Sequence, residues 1–160
     1  MDTLKGPAIQ DLYPEDFAHC FGCGKDNSHG HQLKSFVQGD EVIAHFTPAP
    51  HHVSVPGFVY GGLLASLVDC HAMAAAAAAA ELAAGRRIGE GQVARYVTAA
   101  LRVEYLKPTP LGGELEIRGR VTEQSEKKAV VALTVSVSGT ITVSGEAIAV
   151  RMPKNMERRG

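Results

Sequence analysis

The sequence predicts an α+β fold, an antiparallel sheet wrapped around one long central helix. Three observations carry this expectation. From Leu63 to Ala84 there is no glycine or proline, and half of the run is alanine, the best helix former. After it, apolar and polar residues alternate with the period of two that marks half-buried strands. The order is two short strands, the helix, then three or four long strands. It lacks the β-α-β-α alternation of a doubly wound parallel sheet.

The elements follow in chain order. Residues 1–30 show little periodicity and read as an irregular lead-in, residues 31–152 as the domain, and residues 153–160 as a polar tail. Gln32 to Gln38 is a candidate strand. Gly39-Asp40 is a hairpin turn signal. Glu41 to Thr47 alternates, with Val42, Ala44 and Phe46 on one face. Pro48, Pro50 and Pro56 make the next stretch a loop, which runs through Gly57 to Gly61-Gly62 and the helix. Gly85 is the expected helix stop, with Arg86 and Arg87 beside the negative dipole end. The helix is about 33 Å long at 1.5 Å per residue, enough to cross the middle of a small domain. In Tyr96 to Leu106, Val97, Ala99, Leu101, Val103 and Tyr105 share one face, and Thr98, Arg102 and Glu104 the other. Leu115, Ile117 and Val121 alternate with charged residues. Val131, Leu133, Val135 and Val137 form another apolar face. Ser138-Gly139 turns the chain into a last strand, Ile141 to Val150, where Gly145 breaks the alternation and suggests a bulge. One sheet face covers the helix. The other is half apolar and invites a second copy of the chain.

Composition narrows the functional classes. The chain is 45% hydrophobic and 21% charged, as in a globular domain. Its net charge is −1 with no basic block in the body, which argues against a nucleic-acid binder. The start, Met1 to Pro7, lacks an apolar signal core, and Cys20, Cys23 and Cys70 are an odd set. Together these point to a reducing, cytoplasmic location. The run Leu63 to Ala84 contains Asp69, His71 and Glu81, which speaks for a buried helix and against a membrane span.

Chemistry concentrates on that helix. Gly61-Gly62 places two residues without side chains where the first backbone N–H groups have no intrahelical partner. Such donors suit an oxyanion or a polarised carbonyl. Asp69 lies two turns further on, and Ala65, Ser66, Ala72 and Ala76 share its face. A carboxylate in apolar surroundings must be paired, hydrogen-bonded or functional. Thr98 offers a hydroxyl that can hold a water against it. His51-His52 stand in the loop before the helix. Cys20-Phe21-Gly22-Cys23-Gly24, with His19, His29 and His31 nearby, suggests zinc only weakly. A structural zinc site wants four ligands, and there is no second Cys pair. The pair reads as free thiols and no metal is expected, although binding at Cys20 and Cys23 stays open. Cys70 lies on a different helix face from Asp69 and reads as a packed thiol. Gly-x-Ser-x-Gly, the nucleophile elbow, does not occur.

The string from Gly57 to Asp69 resembles the hot-dog-fold acyl-CoA thioesterases of the phenylacetate-pathway type, in the 4-hydroxybenzoyl-CoA thioesterase superfamily. There a Gly-x-x-His-Gly-Gly segment opens the central helix, and an acidic residue follows nine positions after the histidine. Tyr96 to Pro108 resembles the family's next strand, and Cys20 to Gly24 through Gln32-Leu33 the lead-in of one bacterial branch. The resemblance spans roughly residues 19–151. It implies Asp69 as general base or nucleophile at the thioester carbonyl, and Gly61 or Gly62 N–H as the group that polarises the oxygen. It implies Thr98 as a holder of the water, and Lys127 and Lys128 at the coenzyme A phosphates; Gly57 and His52, in the loop before the helix, are expected by their place to line the substrate side. It further implies a homodimer, arranged as a dimer of dimers, with Asp69 and the glycines of one site on different subunits. No cofactor is implied beyond the coenzyme A of the substrate.

The departure is Tyr60, which stands where the family has histidine. A tyrosine donates a hydrogen bond but stays neutral near pH 7, its reference pKa being about 10. Two alternatives therefore stay open: an acyl-CoA or acyl-ligand binding protein that does not hydrolyse, and a hot-dog hydratase or dehydratase, for which the His–acid pairing is not found.

Overall fold

The computed structural model describes residues 3–157. The readings of the N-terminal start and the C-terminal tail also reach residues 1, 2 and 158–160, which lie outside this range.

Six strands and one helix make up the body: β1 (Ser35–Gln38), β2 (Glu41–Phe46), α1 (Gly61–Ala83), β3 (Tyr96–Tyr105), β4 (Leu115–Gln124), β5 (Lys128–Val137) and β6 (Thr140–Arg151). Short 3-10 turns cover Ile9–Leu12, Glu15–Phe17, Pro50–His52 and Lys154–Met156. All strands pair antiparallel in one sheet, in the order β1-β2-β4-β5-β6-β3. The sheet curls around α1, which is the hot-dog arrangement.

The helix begins at Gly61, two residues before the alanine-rich run suggests. Tyr60 is its N-cap, because the Tyr60 carbonyl accepts the Leu63 and Leu64 N–H groups at 3.1 and 3.3 Å. Ala84 is the C-cap, and Gly85 follows at φ +73°. Arg86 does more than face the helix dipole: its guanidinium grips the buried Glu81 carboxylate through two bonds of 2.6 and 3.1 Å. These hydrogen bonds hold the Glu81 pKa below the usual carboxylate range.

Leu63, Leu64, Leu67, Val68 and every residue from Ala72 to Ala78 are buried. A leucine enclosed in this way contributes about 2–3 kcal/mol. By length and hydropathy alone α1 could cross a membrane, but 72% of its most apolar window lies inside the domain. The alanines let sheet and helix approach closely, and two glycines complete the fit. A Cβ on Gly145 would lie 3.0 Å from Val68 Cγ1 and 3.2 Å from the Arg102 carbonyl oxygen. One on Gly119 would lie 3.2 Å from the His71 ring. Gly145 therefore marks a contact and not the expected bulge: it pairs in register with both Val103 and Leu133.

Register breaks occur elsewhere, between Thr98 and Ala100 in β3, between Val121 and Glu123 in β4, and between Val135 and Ser136 in β5. The first corrects the expected facing of β3. With Ala99 as an extra residue, the alternation reverses. Thr98 pairs Ala149, Leu101 pairs Ala147 and Val103 pairs Gly145, so all three share the helix-facing side. β1 also starts later than Gln32, since Gln32 turns at φ +51° and its side-chain amide donates to the Lys25 carbonyl at 2.9 Å.

A buried polar chain ties the lead-in and the first strands to the helix. Gln10 Nε2 donates to Ser35 Oγ at 2.8 Å, and Gln10 Oε1 accepts the Ser35 N–H at 2.8 Å. Ser35 Oγ lies 2.8 Å from His71 Nδ1, and His71 Nε2 lies 2.8 Å from the Val42 carbonyl oxygen. A carbonyl only accepts, so Nε2 carries the proton and Nδ1 accepts from the serine. Burial keeps the ring neutral by pushing its pKa down to about 4.

Candidate active site

Asp69 is half-buried on α1, and the Thr98 hydroxyl donates to its Oδ1. The β3 register break makes this contact: in a regular strand the Thr98 side chain would point away from the helix. Thr98 thus touches the carboxylate itself, leaving Oδ2 for a further partner. The exposed surroundings give water access to the pair.

At the helix start, the Gly61 and Gly62 N–H groups have no backbone partner among the described residues, since the first two bonds to Tyr60 come from Leu63 and Leu64. These two donors carry the positive end of a 23-residue helix. The Tyr60 ring lies across Gly62, where an added Cβ would sit 2.5 Å from Tyr60 Cε1 and 2.7 Å from Oη. A side chain at position 62 would push that ring aside. Tyr60 itself is 57% exposed.

Tyr105, at the far end of β3, was not singled out by the sequence. Its hydroxyl donates to the Gly61 carbonyl oxygen at 2.7 Å, and its ring packs 3.4 Å from the position of a Gly61 Cβ. Burial, and to a lesser degree Tyr60, push the Tyr105 pKa up, so it remains a donor. No local pattern links residues 61 and 105, because their contact depends on how β3 lies along α1. β3 thus braces both working parts of the helix, Asp69 through Thr98 and the helix start through Tyr105.

The approach loop is pinned. Gly57 adopts φ +87°, which favours glycine, and its carbonyl accepts the Leu111 N–H at 2.8 Å. The His52 carbonyl accepts the Tyr60 N–H at 2.8 Å, and His52 Nδ1 accepts the Ala49 N–H at 2.9 Å. The ring lies against His51, His31 and Phe46. Burial, then the charges of His51 and His31, lower the His52 pKa, so the ring is neutral. His52 is placed to shape the loop beneath Tyr60 and is already committed to a local bond.

Lys127, in the β4–β5 turn, and Lys128, the first residue of β5, are both exposed. Lys128 pairs Val150, which pairs Val97, the neighbour of Thr98. Two strand spacings, about 10 Å, therefore separate the lysines from the strand position next to Thr98. What one chain does not bring together is Asp69 and the helix start. Eight residues of helix separate Gly61 from Asp69, about 12 Å along the axis.

The sequence profile of the thioesterase superfamily matches residues 56–144, from the loop before α1 into β6. The chain belongs to that superfamily. A thioesterase superfamily protein of Shewanella loihica is 44% identical over 79% of this chain and 96% of its own, with a TM-score of 0.64. Two more distant structures share the fold. The PaaI protein of the Escherichia coli phenylacetic acid degradation operon is 15% identical over 77% of this chain and 81% of its own, TM-score 0.63. A Streptococcus mutans protein bound to acetyl-CoA is 21% identical over 76% of this chain and 90% of its own, TM-score 0.60. Among curated proteins, none matches the chain significantly. The superfamily match covers Tyr60, Gly61, Gly62, Asp69, Thr98, Lys127 and Lys128, and leaves His52 just outside.

Proposed function

We propose that this superfamily member hydrolyses an acyl-CoA thioester, in a homodimeric unit where the helix start of one subunit faces Asp69 of the other. The observation that carries the reading is the Thr98-braced carboxylate on a helix whose first two N–H groups are free. The distance of about 12 Å between them along one helix means that a single carbonyl needs one group from each of two chains. The exposed apolar residues Leu101 and Tyr105 on the edge strand β3 suit a partner there. The acetyl-CoA bound by the Streptococcus mutans relative supports the ligand class.

In this reading Asp69 takes a proton from water while the water oxygen bonds to the thioester carbonyl carbon. The Thr98 hydroxyl steadies Asp69 Oδ1 and offers its oxygen lone pairs to the same water. Charge builds on the carbonyl oxygen, where the Gly61 and Gly62 N–H groups hold it. The carbon–sulfur bond then breaks, and the coenzyme A sulfur takes up the proton from Asp69. The Tyr60 hydroxyl, beside Gly62, offers a hydrogen bond where the thioesterases this chain resembles carry histidine. Gly57 and His52 shape the acyl entrance, and Lys127 and Lys128 meet the coenzyme A phosphates. Hydrolysis changes no oxidation state and calls for no redox cofactor. We place the protein in the cytoplasm, as a dimer or a dimer of dimers.

The test is release of coenzyme A from a panel of short, branched and aromatic acyl-CoA thioesters. Asp69→Ala is expected to lower kcat by about a hundredfold or more at an unchanged melting temperature. Wild-type turnover in that variant would reject the mechanism. Tyr60 at the helix start, in place of the histidine of the resembled family, favours a second reading, acyl-CoA binding without turnover. Thioesters that raise the melting temperature but release no coenzyme A would establish it.

A further inference from the structure

We propose that Cys20, Cys23 and Cys70 form a metal site for a thiophilic d10 ion, Zn2+ or Cu+, that fastens the lead-in loop to α1. The three sulfurs come from two places fifty residues apart, yet all lie within 4.8 Å of one another. Cys20 Sγ and Cys70 Sγ are 3.8 Å apart. A tetrahedral zinc with Zn–S bonds of about 2.3 Å spaces its sulfurs by about 3.8 Å.

The loop is shaped around these atoms. The Gly24 N–H closes the turn onto the Cys20 carbonyl at 2.8 Å. A Cβ on Gly22 would lie 2.3 Å from Cys70 Sγ, and one on Gly24 would lie 2.5 Å from the Cys20 backbone nitrogen, so both glycines are needed for the chain to approach this closely. The Arg95 guanidinium lies over the ring of Tyr13, 4.9 Å from its centre, and Tyr13 packs in the same buried cluster as Cys23 and Cys70. The Tyr13 hydroxyl is buried with no hydrogen-bond partner among the described residues.

The donor set selects the ion. Three thiolates without a carboxylate exclude the hard ions Ca2+ and Mg2+, and iron–sulfur clusters ask for four cysteines. No fourth Cys, His, Asp or Glu joins the group among the described residues. Cu+ accepts three sulfurs, and Zn2+ takes a water as its fourth ligand. Each metal–sulfur bond forms as a thiol proton leaves to solvent.

The experiment uses the full chain, reduced, stripped with a chelator and kept free of oxygen. One arm adds Co2+ as a probe for zinc, reads the sulfur-to-cobalt charge-transfer band in the near ultraviolet, and displaces it with Zn2+. The other adds Cu+ against a coloured competitor. Both count metal per chain after gel filtration. The expected result is one ion per chain in at least one arm, a higher melting temperature, and affinity about a hundredfold lower in Cys20→Ser and in Cys70→Ser. Cys20 is only half-buried, so its serine variant serves if the buried Cys70→Ser fails to fold. Folded, reduced wild-type protein that retains neither ion at one per chain would overturn the proposal. So would a Cys70→Ser variant that binds as tightly as wild type.

Discussion

β3 and β5 are both ten residues long, both lie in one sheet, and both read as alternating apolar strands. Their fates differ. β5 sits between β4 and β6 and buries every second residue, with Val131 and Val135 fully enclosed. β3 is an edge strand in which most residues from Thr98 onward are exposed. Alternation therefore reports that a strand has an apolar face, and says nothing of what covers it. The covered strand holds the domain together. The uncovered one carries Thr98 and Tyr105, the two side chains that reach the working parts of α1.

The sharpest way to break this contrast is to place the same charge on both strands. Val135→Asp buries an unpaired carboxylate and is expected to cost about 4 kcal/mol or more, read as loss of cooperative unfolding. Leu101→Asp, at a position 37% exposed, is expected to shift the stability of the isolated chain by about 1 kcal/mol or less. If β3 is the subunit contact, light scattering will show that variant as a monomer, with coenzyme A release lost. Equal destabilisation of both variants would remove the distinction.

Acid tests the covered side through His71. The folded chain holds this ring neutral, with a pKa near 4, while an unfolded histidine protonates near 6.5. Between those values the unfolded state binds more protons. The His71 contribution is thus complete above about pH 6.5 and declines as pH falls toward 4, by on the order of 3 kcal/mol in all. Urea melts across this interval should show a shallower decline for His71→Asn than for wild type, although that variant starts less stable because the Val42 carbonyl loses its donor.

Gly145→Ala probes the closeness of sheet and helix. Its Cβ would press on Val68 and the Arg102 carbonyl, and a loss of about 1–2 kcal/mol is expected in thermal melts. The smallest effect belongs to the open strand. Thr98→Val keeps the volume but removes the donor to Asp69, so kcat should fall about tenfold with the melting temperature unchanged.

Much of this molecule is written locally. The absence of glycine and proline from Leu63 to Ala84, the glycine pair before it and the period-two runs after it are statements about neighbouring residues. Helix and strand propensity act at that range. Asp69 was legible for the same reason, as an acid inside a long apolar run, and the superfamily pattern from Gly57 to Asp69 lies in one continuous segment. What the tertiary structure alone decided depends on partners distant in the chain. The extra residue at Ala99 turns Thr98 toward the helix, and a register break exists only relative to the strand it pairs with, here β6. Tyr105 meets Gly61 across 44 residues. Cys70, read by itself as a packed thiol, comes to lie against a Cys-x-x-Cys turn fifty residues earlier. Local sequence chooses elements because their hydrogen bonds are local. The convergence of side chains is chosen by packing, which only the folded chain expresses.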